Sequence, residues 1–146
     1  QVKEALSIDV AGGEQDCEFT AWQTMIDKRV VDIVQPDIMY VGGLTRALHV
    51  AKMAEAAGLP VTPHAANWSL VTLCTMHYLK AIPNAGKYLE FSIEGPDYYP
   101  WQYGIFRNDP YKITDGHATI TDEPGWGVEI SKAWLDKSEY AVSELQ

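Results

Sequence analysis

Residues 30–37 read VVDIVQPD, a β-branched run of strand length that is stopped by Pro36. Such a run favours a strand, and proline ends one, so the pattern predicts a strand over 30–34. Residues 17–29 and 44–57, on either side of this run, instead carry apolar residues at helical spacing. The alternation of helix, strand and helix predicts an α/β fold with a parallel sheet.

The same alternation continues in both directions from this run. We predict further strands over 6–10, 59–62 and 87–92, and a helix that ends near residue 82 and begins at an N-cap, either Asn67 or Ser69. The order of elements alone fits both an open doubly wound sheet and a piece of a barrel. No Gly-rich phosphate-binding fingerprint follows any of these strands, which weighs against a dinucleotide-binding fold.

The segment 93–146 differs from the segment 1–92 in texture. It holds nine of the sixteen aromatic residues and a net charge of −6, against −3 for the longer segment. Turn-forming pairs such as Asp115-Gly116 and Pro124-Gly125 interrupt it. We therefore expect a regular domain over 1–92, followed by an irregular tail with short strands.

Composition limits the classes of partner. The 146 residues include 20 Asp+Glu against 11 Lys+Arg, a net charge of −9 that argues against nucleic acid or an anionic membrane surface. No apolar stretch approaches the roughly 20 residues of a membrane span. Two cysteines, Cys17 and Cys74, are too few for a disulfide scaffold and lack metal-ligand spacing. A reducing, cytoplasmic compartment is the expectation.

Four ionisable residues occur once per strand–helix unit. Glu14, Asp37 and His64 each follow a predicted strand and Glu90 lies in the fourth, at separations of 23, 27 and 26 residues. In a barrel of about 250 residues, each of eight units takes roughly 31 residues, or fewer where loops are short. The carboxyl ends of the strands share one face of a barrel, and that face carries the chemistry. We therefore expect these side chains to lie on one rim.

The chemistry of the four residues is coherent, although each also has a structural explanation. Glu14 is a hard oxygen ligand suited to Mg²⁺, or a solvated loop acid or helix N-cap. His64 can transfer a proton near neutral pH, and Asp37 either orients it or only forms a turn. Glu90 lies in an apolar segment, where a protonated acid can donate a hydrogen bond to an oxyanion. Together they suit proton abstraction beside a carboxylate, with a metal holding the enediolate.

Short motifs surround these four residues and recur near the end of the chain. They are GGE at 12–14, QPDIM at 35–39, GGLT at 42–45, PH at 63–64, LE at 89–90 and the closing DEPGWGV at 122–128. In this order they resemble the mandelate racemase branch of the enolase superfamily. The likeness covers essentially all of the chain, and the ordered combination is more specific than any one motif.

This resemblance implies a fold and a set of roles. The chain would be the C-terminal half of a TIM-type (β/α) barrel, about strands five to eight, with a tail that packs toward an N-terminal capping domain. Glu14 matches the last of three carboxylate ligands to Mg²⁺. Asp37 and His64 match an Asp-His dyad in which the histidine is the acid/base catalyst. Glu90 matches the acid that contacts the substrate carboxylate. Asn67 is a further substrate-binding candidate, which helix capping explains equally well.

The resemblance also implies an activity. Acid-sugar dehydratases dominate the branch, and they remove the proton α to a carboxylate and eliminate the β-hydroxyl as water. The chain begins just before the Glu14 strand, so we expect two metal ligands to lie in a preceding half. On that expectation the isolated chain is inactive, and the complete protein is a homo-oligomer that acts on a small acid sugar.

Two alternatives stay open at this point. A racemase or epimerase of a 2-hydroxy acid uses the same dyad against a lysine on the opposite face, and the upstream sequence would separate the two. The absence of a lysine at position 64 disfavours the muconate-cycloisomerase and dipeptide-epimerase branch. A non-catalytic domain that binds a small acid or a partner predicts weak Mg²⁺ binding, no turnover and stability without another half.

Overall fold

The computed structural model describes residues 2–65, 68–102 and 104–144. It divides into two compact units, Gln1–Ile93 and Glu94–Gln146, one residue beyond the boundary drawn from the sequence. That the first unit is part of a catalytic barrel, and that the second packs toward a capping domain, stay predictions. Within the described ranges, no helix is both long and apolar enough to cross a membrane.

The first unit alternates short extended segments with helices. The β1 and β2 strands pair in parallel, with Ala11 opposite Ile33, and parallel bridges join Val34 to Val61 and Val61 to Ala85. Four extended segments are therefore neighbours in chain order, and the α/β alternation is confirmed. The elements are a 3₁₀ turn at Lys3–Ala5, β1 at Ala11–Gly12, α1 at Phe19–Asp27, β2 at Ile33–Val34, α2 at Leu44–Ala56 and α3 at Leu70–Ala81.

The predicted strand boundaries were wrong. The first strand lies at 11–12 rather than 6–10, and only the end of the 30–34 prediction is paired. In the predicted strand 59–62, only Val61 forms bridges. The fourth extended segment pairs at Ala85, before the predicted strand 87–92. β-Branched and aromatic residues mark extended chain, whereas a ladder also requires a neighbour in register. Neither residue of β1, Ala11 nor Gly12, is β-branched or aromatic, so the sequence does not indicate a strand there.

The helix predictions hold to within a few residues at either end. Ser69, one of the two proposed caps, begins α3, and its hydroxyl accepts a hydrogen bond from the Val71 N–H at 3.2 Å. Such a cap satisfies one of the free amides of the first turn. Gly58 ends α2 with a φ of +68°, and its N–H donates to the Glu55 carbonyl. Glycine adopts this left-handed conformation without strain, which makes it a common helix stop.

The core of the first unit lies between the ladder and the helices. Trp22, Val34, Val61 and Ala47 have no exposed surface, and they come from α1, the ladder and α2. Tyr78 of α3 reaches into this core, and its hydroxyl donates a hydrogen bond to the Ala47 carbonyl at 2.8 Å. Burial raises the pKa of Tyr78, because the phenolate would be poorly solvated there.

Over residues 94–102 and 104–144, the second unit contains only short elements. It holds an antiparallel hairpin of β3 (Ile113–Thr114) and β4 (His117–Ala118), and a single helical turn, α4 (Lys132–Leu135). Asp115 and Gly116 connect the strands with φ angles of +51° and +75°. Positive φ at both central residues is typical of a two-residue hairpin turn that follows the strand twist, and the Asp-Gly pair is a common sequence for it.

Candidate functional site

The structure brings Asp37 and His64 into direct contact. The His64 Nδ1 lies 2.7 Å from the Asp37 Oδ2. The two residues also form a parallel bridge between neighbouring segments of the ladder. The His64 N–H donates to the Pro36 carbonyl at 3.1 Å. Both the side chain and the main chain of His64 are therefore fixed relative to the end of β2.

Asp37 uses its second carboxylate oxygen to build a turn. Its Oδ1 accepts hydrogen bonds from the main-chain N–H groups of Met39 at 2.7 Å and Tyr40 at 3.1 Å. The residue is only 6 % exposed, so these bonds and His64 compensate for burial of the carboxylate. The sequence offered a turn and a histidine partner as alternatives, and Asp37 is both.

Glu14 and Glu90 approach the other side of the imidazole. The His64 Nε2 lies 3.7 Å from the Glu14 Oε2 and 4.0 Å from the Glu90 Oε2. The His64 side chain is 19 % exposed, against 44 % for Glu14 and 39 % for Glu90. All four ionisable residues predicted for one rim therefore meet in one partly open cluster, which we call the rim cluster.

Two opposing effects act on the pKa of His64. Burial disfavours the charged imidazolium and so lowers the pKa. The hydrogen bond to Asp37 and the negative charges of Glu90 and Glu14 favour the imidazolium and raise the pKa. The attraction outweighs the loss of solvation, so the pKa of His64 lies above its ordinary value.

Glu90 lies in surroundings that differ from those expected. No strand includes residues 88–93, so the predicted apolar strand around this acid was wrong. Its Oε2 accepts a hydrogen bond from the Ala65 N–H at 3.0 Å. This bond ties Glu90 to the residue that follows His64, and a partly exposed carboxylate needs no buried partner. The apolar residues around Glu90 favour extended chain, but they do not specify a neighbouring strand to pair with.

Trp22 packs against the loop that carries Glu14 and binds it through a hydrogen bond. Gly13 has a φ of +104°, and a Cβ there would lie 2.6 Å from the Trp22 ring. Any larger residue would clash with that ring, so only glycine fits. The Trp22 indole N–H donates to the Asp16 carbonyl at 3.2 Å, and the Asp16 N–H closes the turn on the Gly13 carbonyl.

The rim cluster offers the type of ligand that magnesium prefers, but too few ligands for a complete site. The half-exposed Glu14 carboxylate is the hard oxygen ligand that Mg²⁺ prefers. Within residues 2–65, 68–102 and 104–144, no group of three or more His, Cys, Asp or Glu side chains could hold a metal ion. Glu14 can therefore supply one ligand, and the described residues do not by themselves form a three-ligand metal site.

Sequence reasoning missed three main-chain groups and one side chain of the rim cluster's support. The N–H groups of Met39, Tyr40 and Ala65 hold the two acids, and amide donors leave no trace in residue type. The Pro36-Asp37 pair was a usable signal for the turn, because aspartate commonly binds amides two or three residues on. The missed side chain is Arg46. Asn67, the further substrate-binding candidate, lies outside the described residues.

The family profile and the curated relatives that match this chain agree with each other. The profile of the family described as enolase C-terminal domain-like matches residues 1–134. The chain is 29 % identical over 132 residues to an arabinonate dehydratase from Saccharolobus solfataricus, covering 89 % of this chain and 33 % of the relative. Other curated relatives are also named as acid-sugar dehydratases. The chain thus spans about a third of the length of the curated relatives it matches.

Two solved structures illustrate the similarity of fold. A protein from Roseobacter denitrificans, provisionally named a racemase, is 71 % identical with a TM-score of 0.92, over 99 % of this chain and 39 % of that one. A mandelate racemase/muconate lactonizing protein from Paracoccus denitrificans, solved with magnesium, is 29 % identical with a TM-score of 0.79, over 93 % and 35 %. The chain belongs to the enolase C-terminal domain-like family, in the mandelate racemase branch of the enolase superfamily.

Proposed function

We propose that this chain supplies the acid/base part of a Mg²⁺-dependent acid-sugar dehydratase. One observation carries the proposal: the Asp37–His64 pair leaves the His64 Nε2 facing the carboxylates of Glu14 and Glu90. An imidazole held in one tautomer beside a site for a carboxylate substrate is suited to removing an α-proton. The curated relatives named as acid-sugar dehydratases support this choice of reaction.

The proton path runs through the two nitrogens of His64. The Nδ1–H donates to the Asp37 carboxylate, which leaves the lone pair of Nε2 directed toward the open side of the cluster. The Nε2 accepts the proton from the carbon α to the substrate carboxylate. The electron pair of that C–H bond passes toward the carboxylate to form an enediolate, and its return forms the carbon–carbon double bond as the β C–O bond breaks. The Nε2 returns the proton to the departing hydroxyl, which leaves as water, and the enol product becomes a 2-keto-3-deoxy acid.

The acids on the open side position the substrate in this proposal. Glu90, held by the Ala65 N–H, contacts the substrate carboxylate, and Asn67 is a second proposed contact. Glu14 is one of the ligands of Mg²⁺, which when bound would supply positive charge to stabilise the enolate oxygens. The proposed cofactor agrees with the magnesium in the Paracoccus denitrificans protein.

The wider organisation is part of the same proposal. The parallel neighbour order of the first unit supports its assignment as about strands five to eight of a TIM-type barrel. The second unit would be the irregular tail that packs toward a capping domain. We propose a cytoplasmic, homo-oligomeric protein that acts on a small acid sugar, with no role for nucleic acid or membrane.

A substrate screen with metal removal tests the proposal. The natural full-length protein is incubated with a panel of acid sugars, and 2-keto-3-deoxy product is measured with a carbonyl reagent. We expect product from at least one acid sugar, loss of activity after treatment with a chelator, and recovery when Mg²⁺ is restored. Turnover that is insensitive to chelation, or no turnover across the panel, would contradict the proposal.

A racemase or epimerase of a 2-hydroxy acid is the second candidate, favoured by the provisional name of the 71 % identical Roseobacter denitrificans protein. The same Nε2 would then exchange the α-proton without loss of the β-hydroxyl. Incubation of single stereoisomers in deuterated water separates the two activities. Deuterium at the α-carbon with inversion and no 2-keto product would favour the racemase.

A further inference from the structure

Arg46 joins the loops that carry two members of the rim cluster. Its Nε donates to the Val41 carbonyl at 2.6 Å, and its Nη2 donates to the Cys17 carbonyl, also at 2.6 Å. Val41 ends the turn that follows β2, and Cys17 ends the loop that follows β1. One guanidinium therefore binds main-chain oxygens of two loops that are distant in sequence.

The position of the guanidinium is itself fixed. Its central carbon lies 4.0 Å from the centroid of the Phe19 ring, a stacked geometry that restricts the plane of the group. Gly42, with a φ of +96°, leaves room for the side chain, because a Cβ there would lie 2.9 Å from the Arg46 Cδ. A rigid, planar group with several N–H donors can satisfy two carbonyls at once, which the single ammonium of lysine does less well.

Each carbonyl leads directly to a residue of the rim cluster. The Val41 N–H donates to the main-chain carbonyl of Asp37 at 2.9 Å, so the turn that Arg46 holds at one end begins at Asp37. On the other side, Cys17 directly follows the Gly13-to-Asp16 turn that contains Glu14. A shift of either loop would change the separation between the Glu14 carboxylate and the Asp37–His64 pair.

We infer that Arg46 is a positioning residue, which sets the place of Glu14 relative to the Asp37–His64 pair by joining their two loops. This inference deepens the proposed function and rests on it where Mg²⁺ binding and turnover are concerned. The joining of the loops is a property of the main chain, and it can be measured without metal or substrate.

Hydrogen–deuterium exchange of the metal-free, full-length protein tests the joining of the loops. Arg46→Met removes both hydrogen bonds and keeps a long apolar side chain over Phe19. Arg29→Met is a matched control, because the Arg29 guanidinium also binds a main-chain carbonyl of a distant segment, that of Ala57. We expect faster exchange in both 13–18 and 37–43 for Arg46→Met, and in neither segment for Arg29→Met.

Magnesium affinity and turnover then test the consequence for the rim cluster. Outer groups that orient a metal ligand typically contribute 10- to 100-fold to affinity or activity, so for Arg46→Met we expect both to fall by about tenfold. Arg46→Lys, which can still reach one of the two carbonyls, should recover part of that loss. The Mg²⁺ affinity is measured by calorimetry, and the Arg29→Met variant should match the parent protein.

The outcomes separate this inference from the proposed function. If the parent protein binds Mg²⁺ and turns over substrate but Arg46→Met is altered no more than Arg29→Met in exchange, affinity and turnover, the positioning role is wrong. If the parent protein neither binds Mg²⁺ nor turns over acid sugars, the proposed function fails. Faster exchange in the two loops would then still support the joining by Arg46, and unchanged exchange would contradict it. If Arg46→Met does not fold, Arg46→Lys carries the same comparison.

Discussion

The two units of the molecule use their apolar residues in opposite ways. The second unit holds nine of the sixteen aromatic residues, yet among the described residues every buried apolar side chain except Tyr111 lies in the first unit. The first unit has helices of nine to thirteen residues and a parallel ladder of four neighbouring segments, whereas the described part of the second has one short hairpin and one helical turn.

This difference shows that a high content of aromatic residues is not sufficient to form a core. A helix of several turns presents a continuous apolar face, and a ladder presents a second face for it to cover. A four-residue helix or a separate two-stranded hairpin offers no such face, so large side chains such as Tyr98 and Tyr140 stay exposed. The same substitution should therefore have different effects in the two units.

The largest expected difference concerns histidine. In the full-length protein, His64→Asn should lower α-proton exchange by about 10⁴-fold, because it removes the acid/base group, and should leave Mg²⁺ binding nearly intact. His117→Asn, in the exposed hairpin of the second unit, should change neither quantity. Exchange is measured by NMR in deuterated water and Mg²⁺ binding by calorimetry. Loss of Mg²⁺ binding in His64→Asn would show that the dyad assignment is wrong.

Tryptophan provides the next comparison. Trp22→Ala should lower the free energy of unfolding by about 4 kcal/mol, because it empties a fully buried site in the core. Trp126→Ala, where the side chain is 42 % exposed, should lower it by less than about 1 kcal/mol. Urea denaturation of both variants gives the two values. Equal losses would mean that the second unit is packed as tightly as the first.

Serine caps give a smaller difference. The Ser69 hydroxyl binds the Val71 N–H, so Ser69→Ala should cost about 1 kcal/mol of unfolding free energy. Ser131 begins α4 without a side-chain cap bond, so Ser131→Ala should change stability by less than about 0.5 kcal/mol. Thermal or urea unfolding measures both, and a larger loss for Ser131→Ala would contradict the assigned caps.

The smallest expected effect is the acid dependence of one surface pair. The hydrogen bonds from Lys3 and from the Val10 N–H hold the pKa of Asp32 below its ordinary value. The folded chain therefore favours the carboxylate, and this stabilisation is present above the unfolded pKa of about 3.9 and lost as pH falls through the folded pKa.

Asp32→Asn should flatten the stability profile in that acid range and leave the rest of the profile unchanged. Asp136→Asn, in the exposed Lys132–Asp136 pair of α4, is the matched control for loss of a surface ion pair. Urea midpoints between about pH 2 and pH 5 measure both, and high salt should weaken the Asp32 effect. An identical profile for parent and Asp32→Asn would contradict the assigned interaction.

The sequence was most informative where a pattern repeats along the chain. The three long helices follow from apolar spacing, the Ser69 cap and the Gly58 stop. The three acids and the histidine of the rim cluster were selected because they recur once per unit, and their contact follows from parallel neighbours ending at the same edge. These features depend on residue type and spacing, which a sequence displays directly.

The remaining features depend on contacts that residue type does not encode. The strand boundaries follow from register between segments, so β1 formed at an Ala-Gly pair that has no strand signal. Glu90 is partly exposed because it lies beyond Ala85, the last paired residue of the ladder. The two carbonyls bound by Arg46 belong to loops that meet only in the folded chain.

The buried Tyr78 hydroxyl, bonded to the Ala47 carbonyl, makes the α2–α3 contact sensitive to alkali. Burial raises the pKa of this phenol above that of an unfolded tyrosine, so the folded chain favours the neutral form. Its stabilising contribution is complete below about pH 10 and decreases as the solution becomes more basic. Ionisation of Tyr78 would therefore accompany opening of the helix pair, and tyrosinate absorbance in the ultraviolet would report that opening without an added label.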